Sequence, residues 1–505
     1  MQNSIAKNSF FLYVRMMIVL IINLYTVRIV LNALGVEDYG IYNVVAGVVT
    51  MLNIISNVMV TAIQRFYSYS IGKNRIDQLR NIFSVSINIC ILVVIIVLAF
   101  GETVSLWFVN SQLVIPADRM YAANWIYQFS ILSFITTIIQ VPYSAAVIAH
   151  ENIGIFAIIT TIESVLKLIA AKSLVYLLFD TLIAYGATLL IIQVLVLLAY
   201  ILIAHKKYIE CNYQIPTEKK LYRDLLSFSG WSLFGSLAGV GVAQINTILV
   251  NIFFGPVVNT SRAIALQISA AINSFCNSFV MTIRPPIIQA YAGESYQYLN
   301  TIFKMSNKFI YYCLLMICVP LVIEMPTVLS LWLKVVDVQT VLFSRLIVVY
   351  SLILSINNPI SIIIHATGHI KYYNLFVETV TILCIPATYI LYKLKYPAYT
   401  TFVVMIVTVV ISHAIRLICL KKQYAYFSYS DYFKSFVLPA LVITLQTSVL
   451  ALWIHRMISS EILRLFAVTI ISLLSICLGG YFLGLSKVEK CGVKAYIHRL
   501  MRKKV

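Results

Sequence analysis

Charged residues are scarce in this sequence. Lys, Arg, Asp and Glu together make up 11% of the 505 residues, whereas 61% are hydrophobic. Soluble domains carry about 25% charged residues, so this chain lacks the charged shell that a water-soluble fold of its length requires. Apolar runs of about 20 residues recur along the chain, and each is long enough to cross a bilayer as a helix. The sequence therefore predicts an all-α polytopic membrane protein.

Motifs for catalysis and cofactor binding are also missing. The sequence has no G-x-x-x-x-G-K-[ST] phosphate-binding loop, which argues against ATP hydrolysis, and no H-E-x-x-H pair for zinc. Its nine cysteines are scattered and form no CxxC pair, so neither disulfides nor a metal site is predicted. The short loops leave no room for an extramembrane catalytic domain. We expect a transporter without cofactors rather than an enzyme.

The apolar runs define about 14 spans. They lie near residues 9–34, 40–64, 81–108, 120–147, 154–178, 181–204, 224–253, 262–290, 307–333, 340–366, 373–393, 399–420, 435–455 and 462–485. Basic residues concentrate in the loops after even-numbered spans, whereas the other loops hold few, such as Arg119 and Arg262. This asymmetry places both termini in the cytoplasm. The net charge of +19 is then explained by topology and anionic lipid headgroups, not by nucleic acid.

The chain contains an internal repeat. The pairs that carry it are Asn53/Asn273, Asn57/Asn277 and Gly35/Gly255 at an offset of 220 residues, and Pro142/Pro359 and Ser144/Ser361 at an offset of 217. An even number of spans in each half makes the halves parallel repeats, which usually enclose a central cavity. The predicted organisation is an N-terminal six-helix bundle (1–204), a cytoplasmic linker (205–223), a C-terminal six-helix bundle (224–420), two additional helices (421–485) and a basic cytoplasmic tail (486–505).

Two stretches of sequence resemble a known family. LNALGVEDYGIYNVV at residues 31–45 is similar to that family's first-loop pattern, and IIIHATGHIKYYN at residues 362–374 is similar to its turn after the tenth span. With the doubled bundle, they resemble the polysaccharide exporters, or Wzx-type flippases, of the multidrug/oligosaccharidyl-lipid/polysaccharide exporter superfamily. The resemblance implies transfer of an undecaprenyl-pyrophosphate-linked oligosaccharide across a bacterial inner membrane, and a cationic cavity.

Charged side chains inside spans are the default candidates for function in a membrane protein. The cations predicted to line the cavity and bind the cargo are Arg28, Arg65, Lys167, Arg284 and Arg345. Structural alternatives stay open. Arg65 could extend to the membrane interface, Arg284 could anchor its helix there, and Glu163, four residues before Lys167, could neutralise Lys167 on one helix face. Glu37 and Asp38 in the adjoining loop could reach Arg28. Pro285-Pro286 is predicted to end or kink the helix that carries Arg284.

Few acids lie at membrane level, and the bases match or outnumber them, which favours an anionic cargo. Those acids are Glu102, Glu163, Glu324 and Glu378, of which Glu163 and Glu324 are the candidates for ion coupling. Two other functions stay open: a cation-coupled small-molecule exporter of the same fold, and a polysaccharide polymerase. The expected partners are the lipid-linked oligosaccharide, membrane lipids and polysaccharide polymerase machinery.

Overall fold

The computed structural model of the chain describes residues 2–50, 52–111, 115–174, 180–216, 218–333, 337–485 and 490. Within those ranges the chain is helical and contains no β-strand. Thirteen helices of the described part are long and apolar enough to cross a membrane. The predicted class, an all-α polytopic membrane protein, is confirmed. The predicted basic tail lies outside the described residues apart from Lys490.

The chain forms two compact units. Unit 1 consists of Met1–Leu237 with Met281–Glu294, and unit 2 consists of Ala238–Val280 with Ser295–Val505. The predicted domain boundaries at the 205–223 linker and at residue 420 remain predictions.

Unit 1 contains seven complete helices and both ends of an eighth. They are α1 (Gln2–Thr50), α2 (Asn53–Gly72), α3 (Ile76–Phe100), α4 (Leu106–Ser111), α5 (Met120–Ala149), α6 (Ile153–Ser173), α7 (Thr181–Lys207) and α8 (Lys219–Ala292). Unit 2 contains the middle of α8 and the rest of the chain. Its helices are α9 (Tyr296–Ile323), α10 (Met325–Trp332), α11 (Val338–Ser355), α12 (Asn357–Thr367), α13 (Lys371–Ile382), α14 (Cys384–Lys393), α15 (Thr400–Gln423), α16 (Tyr429–Tyr432), α17 (Leu438–Met457) and α18 (Glu461–Gly479).

The second predicted span differs most from the structure. Instead of one helix over residues 40–64, α1 continues to Thr50 and α2 begins at Asn53 and runs to Gly72. Neither piece is among the thirteen apolar helices of the described part. The physical reason is composition: α2 carries Asn, Gln, Ser, Thr and Arg side chains among its apolar ones, which lowers its mean hydropathy.

The backbone dihedral angles also follow the internal repeat. Gly35 (φ 76°, ψ 173°) interrupts α1, and Gly255 (φ 80°, ψ −178°) interrupts α8 at the predicted offset of 220 residues. This conformation is open essentially to glycine alone. Two further pairs with positive φ recur at the offsets of 220 and 217 residues: Asn74/Glu294 and Glu151/Gly368. The same strained positions in both halves support their common origin.

The ends of α2 and α8 meet within unit 1, at the end predicted to face the cytoplasm. A Cβ atom on Gly72 would lie 2.4 Å from the carbonyl oxygen of Gln289 and 2.9 Å from Cβ of Ala292. Only glycine allows the two backbones to approach this closely. Gln289 also donates a hydrogen bond of 2.9 Å from Nε2 to the carbonyl of Ala149, which joins α8 to the end of α5.

Gly72→Ala should therefore destabilise unit 1. The added methyl group meets backbone atoms that cannot rotate away, and overpacking of this kind costs about 1–3 kcal/mol. Gly154→Ala is the matched control because it is also helical but has nothing within 4 Å of its new Cβ. We expect a lower thermal unfolding temperature of the purified protein for Gly72→Ala and an unchanged or higher one for Gly154→Ala. Equal unfolding temperatures would show that the helix ends separate without strain.

An ion pair outside the spans holds the turn after α5. His150 Nε2 lies 2.5 Å from Glu210 Oε1, and the His150 ring stacks on Tyr208 with centroids 4.6 Å apart. Asn152 donates from Nδ2 to the Tyr208 hydroxyl at 2.7 Å. These contacts join the α5–α6 turn to the short turn Ile209–Cys211 that follows α7.

Because of this ion pair, part of the stability of the protein should depend on pH. Burial alone would raise the pKa of Glu210, but the hydrogen bond and charge of His150 lower that pKa below its usual value of 4.5. A lowered folded-state pKa adds stability that is present above pH 4.5 and is lost as the pH falls through the folded pKa. The difference in unfolding temperature between wild type and Glu210→Gln should shrink over that acidic range. A constant difference would contradict the pairing.

Candidate functional site

One face of α2 carries a row of polar side chains. Asn53, Asn57, Thr61 and Arg65 follow each other at intervals of four residues, which places them on one side of the helix. Asn53 and Asn57 are exposed, whereas Thr61 and Arg65 are half-buried. Polar groups are costly against lipid, so exposed amides on a helix of a membrane protein indicate a surface that faces water.

Arg284 lies against this row. It is half-buried on the last part of α8, within unit 1, and its Nη1 donates a hydrogen bond of 3.0 Å to Thr61 Oγ1. This is its one hydrogen bond to the described residues, and no carboxylate among them forms an ion pair with it. A guanidinium carries several N–H donors in a planar fork. Most of those donors of Arg284 are therefore available to an anion.

Aromatic rings surround Arg65. Its guanidinium carbon lies 4.7 Å from the Phe66 ring centroid, 5.3 Å from that of Tyr69 and 5.2 Å from that of Phe228. Ring faces attract a cation and keep its planar group extended. Such ring contacts agree with a cavity cation and equally with an arginine at the membrane interface, where aromatic side chains concentrate.

The helices continue past both arginines. α2 runs from Arg65 on to Gly72 instead of ending near residue 64, and α8 runs from Arg284 through Pro285-Pro286 to Ala292, so the two prolines do not end it. Tandem prolines remove two N–H donors, but ending the helix would leave more carbonyl groups unpaired in apolar surroundings, which costs more. The two cations consequently lie inside the helices, about two turns from their ends.

Two other predicted cations are engaged by protein groups. Lys167 Nζ lies 2.6 Å from Glu163 Oε1 on α6, which confirms the predicted pairing four residues apart. Arg345 donates from Nε to the carbonyl of Val322 at 2.8 Å and from Nη2 to that of Ile323 at 3.3 Å. Arg345 therefore covers the last carbonyls of α9, where a cation also complements the helix dipole.

Arg28 is exposed on α1. It has no hydrogen bond or ion pair within the described ranges. Of the two acids predicted to be within reach of Arg28, the Glu37 side chain lies outside the described residues. Asp38 instead accepts hydrogen bonds from Arg119, which also donates to Asp180 at 2.7 Å. Asp180 in turn accepts from the N–H groups of Leu182 and Ile183 and begins α7. No side chain among the described residues therefore compensates the charge of Arg28.

Glu324 forms the centre of an ion cluster in unit 2. Its side chain is fully buried; Oε1 lies 2.6 Å from His455 Nδ1 and Oε2 lies 3.0 Å from Arg464 Nε. These contacts join the end of α9 to the last two transmembrane helices. A fixed, fully paired carboxylate suits anchoring better than the ion coupling for which Glu324 was a candidate.

Glu378, also in unit 2, differs from Glu324 in its surroundings. It is half-buried on α13, and within the described chain it has neither a hydrogen bond nor an ion pair. Arg416 on α15 is the cation whose charge acts on it, while Arg416 Nε itself donates to the Tyr373 hydroxyl at 3.2 Å. In the sequence, Glu378 is one of several acids inside spans. Only the structure shows that it differs from Glu163 and Glu324, which are held in ion pairs. No group of three metal-ligating side chains occurs in the described residues.

The chain is similar to a known sequence family and to solved membrane transporters. The sequence family described as polysaccharide biosynthesis protein matches residues 5–291. No curated protein matches the chain. A MATE transporter in the bent conformation superposes with a TM-score of 0.72 at 13% identity, over 84% of this chain and 97% of the other.

Two further solved structures have the same fold. An outward-facing multidrug resistance MATE family transporter of the MOP superfamily superposes with a TM-score of 0.68 at 13% identity, over 84% of this chain and 94% of its own. A MOP superfamily transporter from Pyrococcus furiosus, described with a binding pocket of reverse polarity, gives 0.69 at 12% identity over 84% and 95%. At such identities these likenesses show the fold alone.

Proposed function

The chain belongs to the polysaccharide biosynthesis protein family, and from this membership we propose that it is a lipid-linked oligosaccharide flippase. Its fold is that of MOP superfamily transporters, and it is a multi-pass membrane protein. The proposed cargo is an undecaprenyl-pyrophosphate-linked repeat unit, a precursor of O-antigen or capsule. The protein would carry it across the bacterial inner membrane by alternating access, with both termini in the cytoplasm, and supply polysaccharide polymerase machinery on the outer side.

The observation that carries the proposal is the environment of Arg284. A pyrophosphate cannot enter hydrocarbon without compensation for its charge. Arg284 offers most of its donors at the α2 row, with a neutral hydroxyl, Thr61, as its hydrogen-bond partner. Guanidinium groups bind phosphate oxygens through two parallel hydrogen bonds, which suits a pyrophosphate head.

The neutral part of the row supports an oligosaccharide as the attached group. Asn53 and Asn57 are exposed on the same face as Thr61, and an amide both donates and accepts hydrogen bonds. Sugar hydroxyls require both kinds of partner. A cavity built for an organic cation would instead present acids on this face, and α2 contains none.

The coupling of transport to an ion gradient is assigned to Glu378 within this proposal. The candidates Glu163 and Glu324 are held in ion pairs, whereas Glu378, inside a span, forms no ion pair with any described residue. Intramembrane carboxyl groups that are neither paired nor lipid-facing are typical proton carriers in transporters.

Glu378→Gln should therefore abolish the dependence of transport on a proton gradient, since an amide cannot bind and release a proton. The measurement is translocation in vesicles with and without an imposed pH gradient, and a loss of about tenfold or more is expected with the gradient present. Glu102→Gln is the control, because Glu102 is exposed and accepts a hydrogen bond from Gln128. If the proton gradient stimulates transport by Glu378→Gln as strongly as transport by the wild type, a residue other than Glu378 couples transport to protons.

A deletion strain tests the function itself. Loss of the protein should leave the lipid-linked repeat unit on the cytoplasmic leaflet, and wild-type protein should restore its delivery. Normal delivery with short or missing polymer would identify a polymerase instead. Unchanged glycans with altered drug susceptibility would identify a small-molecule exporter.

A further inference from the structure

Arg262 has an unexpected position. The sequence places it in a short outer loop, where a cation would be solvated. In the structure it lies on α8 shortly after the interruption at Gly255, in unit 2, and it is 0% exposed. It is one of the largest fully buried side chains of the described chain.

The contacts of Arg262 leave its charge uncompensated. Nε donates to Thr247 Oγ1 at 3.3 Å and Nη2 donates to the carbonyl of Ala243 at 3.3 Å, both long hydrogen bonds to neutral groups. The Phe402 ring lies 5.4 Å from its guanidinium carbon. Nη1 is buried without a hydrogen-bond partner, and no carboxylate in the described part of the chain forms an ion pair with Arg262.

The internal repeat shows that the fold does not need a cation here. At the offset of 220 residues, Arg262 corresponds to Tyr42, and at the offset of 217, Phe402 corresponds to Tyr185. In unit 1 those two tyrosines contact each other with ring centroids 5.0 Å apart. The equivalent contact in unit 2 is Arg262 on Phe402. Unit 1 thus has a neutral aromatic pair at this position, whereas unit 2 has a buried positive charge.

A buried charge with an unused donor requires an opposite charge, because burial removes its hydration and neutral hydrogen bonds restore only part of it. We propose that unit 2 binds a small monovalent anion, chloride, beside Nη1 of Arg262. A water molecule there would satisfy the donor but not the charge. The site involves no residue of the Arg284 region and does not depend on the identity of the cargo.

The zero exposure of Arg262 limits the ligand to a small ion. A lipid headgroup or a pyrophosphate would have to displace the Phe402 ring and the buried side chains packed near it, which include Phe343 and Met405. Chloride is compact, weakly hydrated compared with divalent anions, and matches the single positive charge. Local opening of the helices is enough to admit it.

Thermal unfolding of the purified full-length protein tests the proposal. Replacing sodium gluconate by sodium chloride at constant ionic strength should raise the wild-type unfolding temperature saturably, by roughly 2 °C or more. Arg262→Tyr should abolish this response, and the tyrosine at the equivalent place of unit 1 indicates that the fold accommodates it. Arg456→Tyr, at an exposed arginine, should keep the response. A response shared by wild type and Arg262→Tyr would be a general salt effect and would overturn the proposal.

Anomalous scattering from bromide gives a readout that needs no variant. Wild-type crystals grown in bromide should show a peak within hydrogen-bond distance of Arg262 Nη1. Absence of a peak there, together with a chloride-independent unfolding temperature, would show that the charge is buried without an anion. A peak at exposed lysines alone would count as an adventitious ion only and would equally overturn the proposal.

Discussion

Arg284→Ala should reduce translocation of the lipid-linked repeat unit about 10- to 100-fold while the protein remains in the membrane. A hydrogen bond to a charged group contributes about 1.5–3 kcal/mol, and one power of ten in rate corresponds to about 1.4 kcal/mol. The only hydrogen bond that Arg284 makes to described residues is with Thr61, so its removal leaves no buried acid unpaired. The fold should tolerate it. The measurement is the fraction of repeat units on the cytoplasmic leaflet of a deletion strain carrying the variant.

Three companion variants separate charge from shape. Arg284→Lys keeps the charge but loses the planar fork and should recover part of the activity. Thr61→Val removes the neutral partner and should have a small effect, because the cargo rather than Thr61 is the proposed main ligand. Arg456→Ala removes an exposed cation and should be silent. Full activity of Arg284→Ala would refute the role of Arg284, and equal losses in Arg284→Ala and Thr61→Val would reduce that role to packing.

Arg28 offers an independent check on the same idea. It is exposed on α1 with no side-chain partner in the described chain, so Arg28→Ala leaves the packing unchanged. Loss of transport in that variant would place Arg28 on the path of the cargo. Unchanged transport would leave Arg284 as the principal cation of unit 1.

The helices and the repeat could be predicted because they depend on local sequence. Apolar runs define spans wherever a helix must satisfy its own backbone in lipid. The paired glycines at residues 35 and 255 predicted a shared feature, and the structure shows both in a conformation that only glycine adopts readily. The row on α2 could also be read from spacing. Where the chain mixes polar and apolar residues, as across Thr50 and Asn53, hydropathy could not locate the helix boundary.

The partners of buried charges could not be predicted, since they lie far apart in the chain. Glu163 and Lys167 were paired correctly because they are neighbours on one helix. Glu324 meets Arg464, which is 140 residues away, and no sequence pattern links them. The burial of Arg262 could not be predicted for the same reason. It lies where the outer loop meets the eighth predicted span, a place where a cation is normally solvated, and only the packing around Phe402 shows its burial.

The ion cluster at Glu324 carries the largest predicted effect on stability. Arg464→Met leaves a fully buried carboxylate with His455 and the neutral Thr327 hydroxyl as its remaining partners, and breaking a buried ion pair from one side costs about 3–5 kcal/mol. We expect a pronounced drop in the unfolding temperature of Arg464→Met. Glu461→Ala is the control, because it removes an exposed acid at the start of the same helix, α18, and should change little.

The double variant decides whether Glu324 anchors the last two helices through charge or through shape. If Glu324→Met is added to Arg464→Met, no uncompensated carboxylate remains, and two apolar side chains of similar length fill the space. The double variant should then be more stable than Arg464→Met alone, because the buried charge has been removed and the contact between α9 and α18 is retained. If the double variant is less stable than either single variant, the loss of stability comes from packing. His455 then compensates the charge of the Glu324 carboxylate in Arg464→Met.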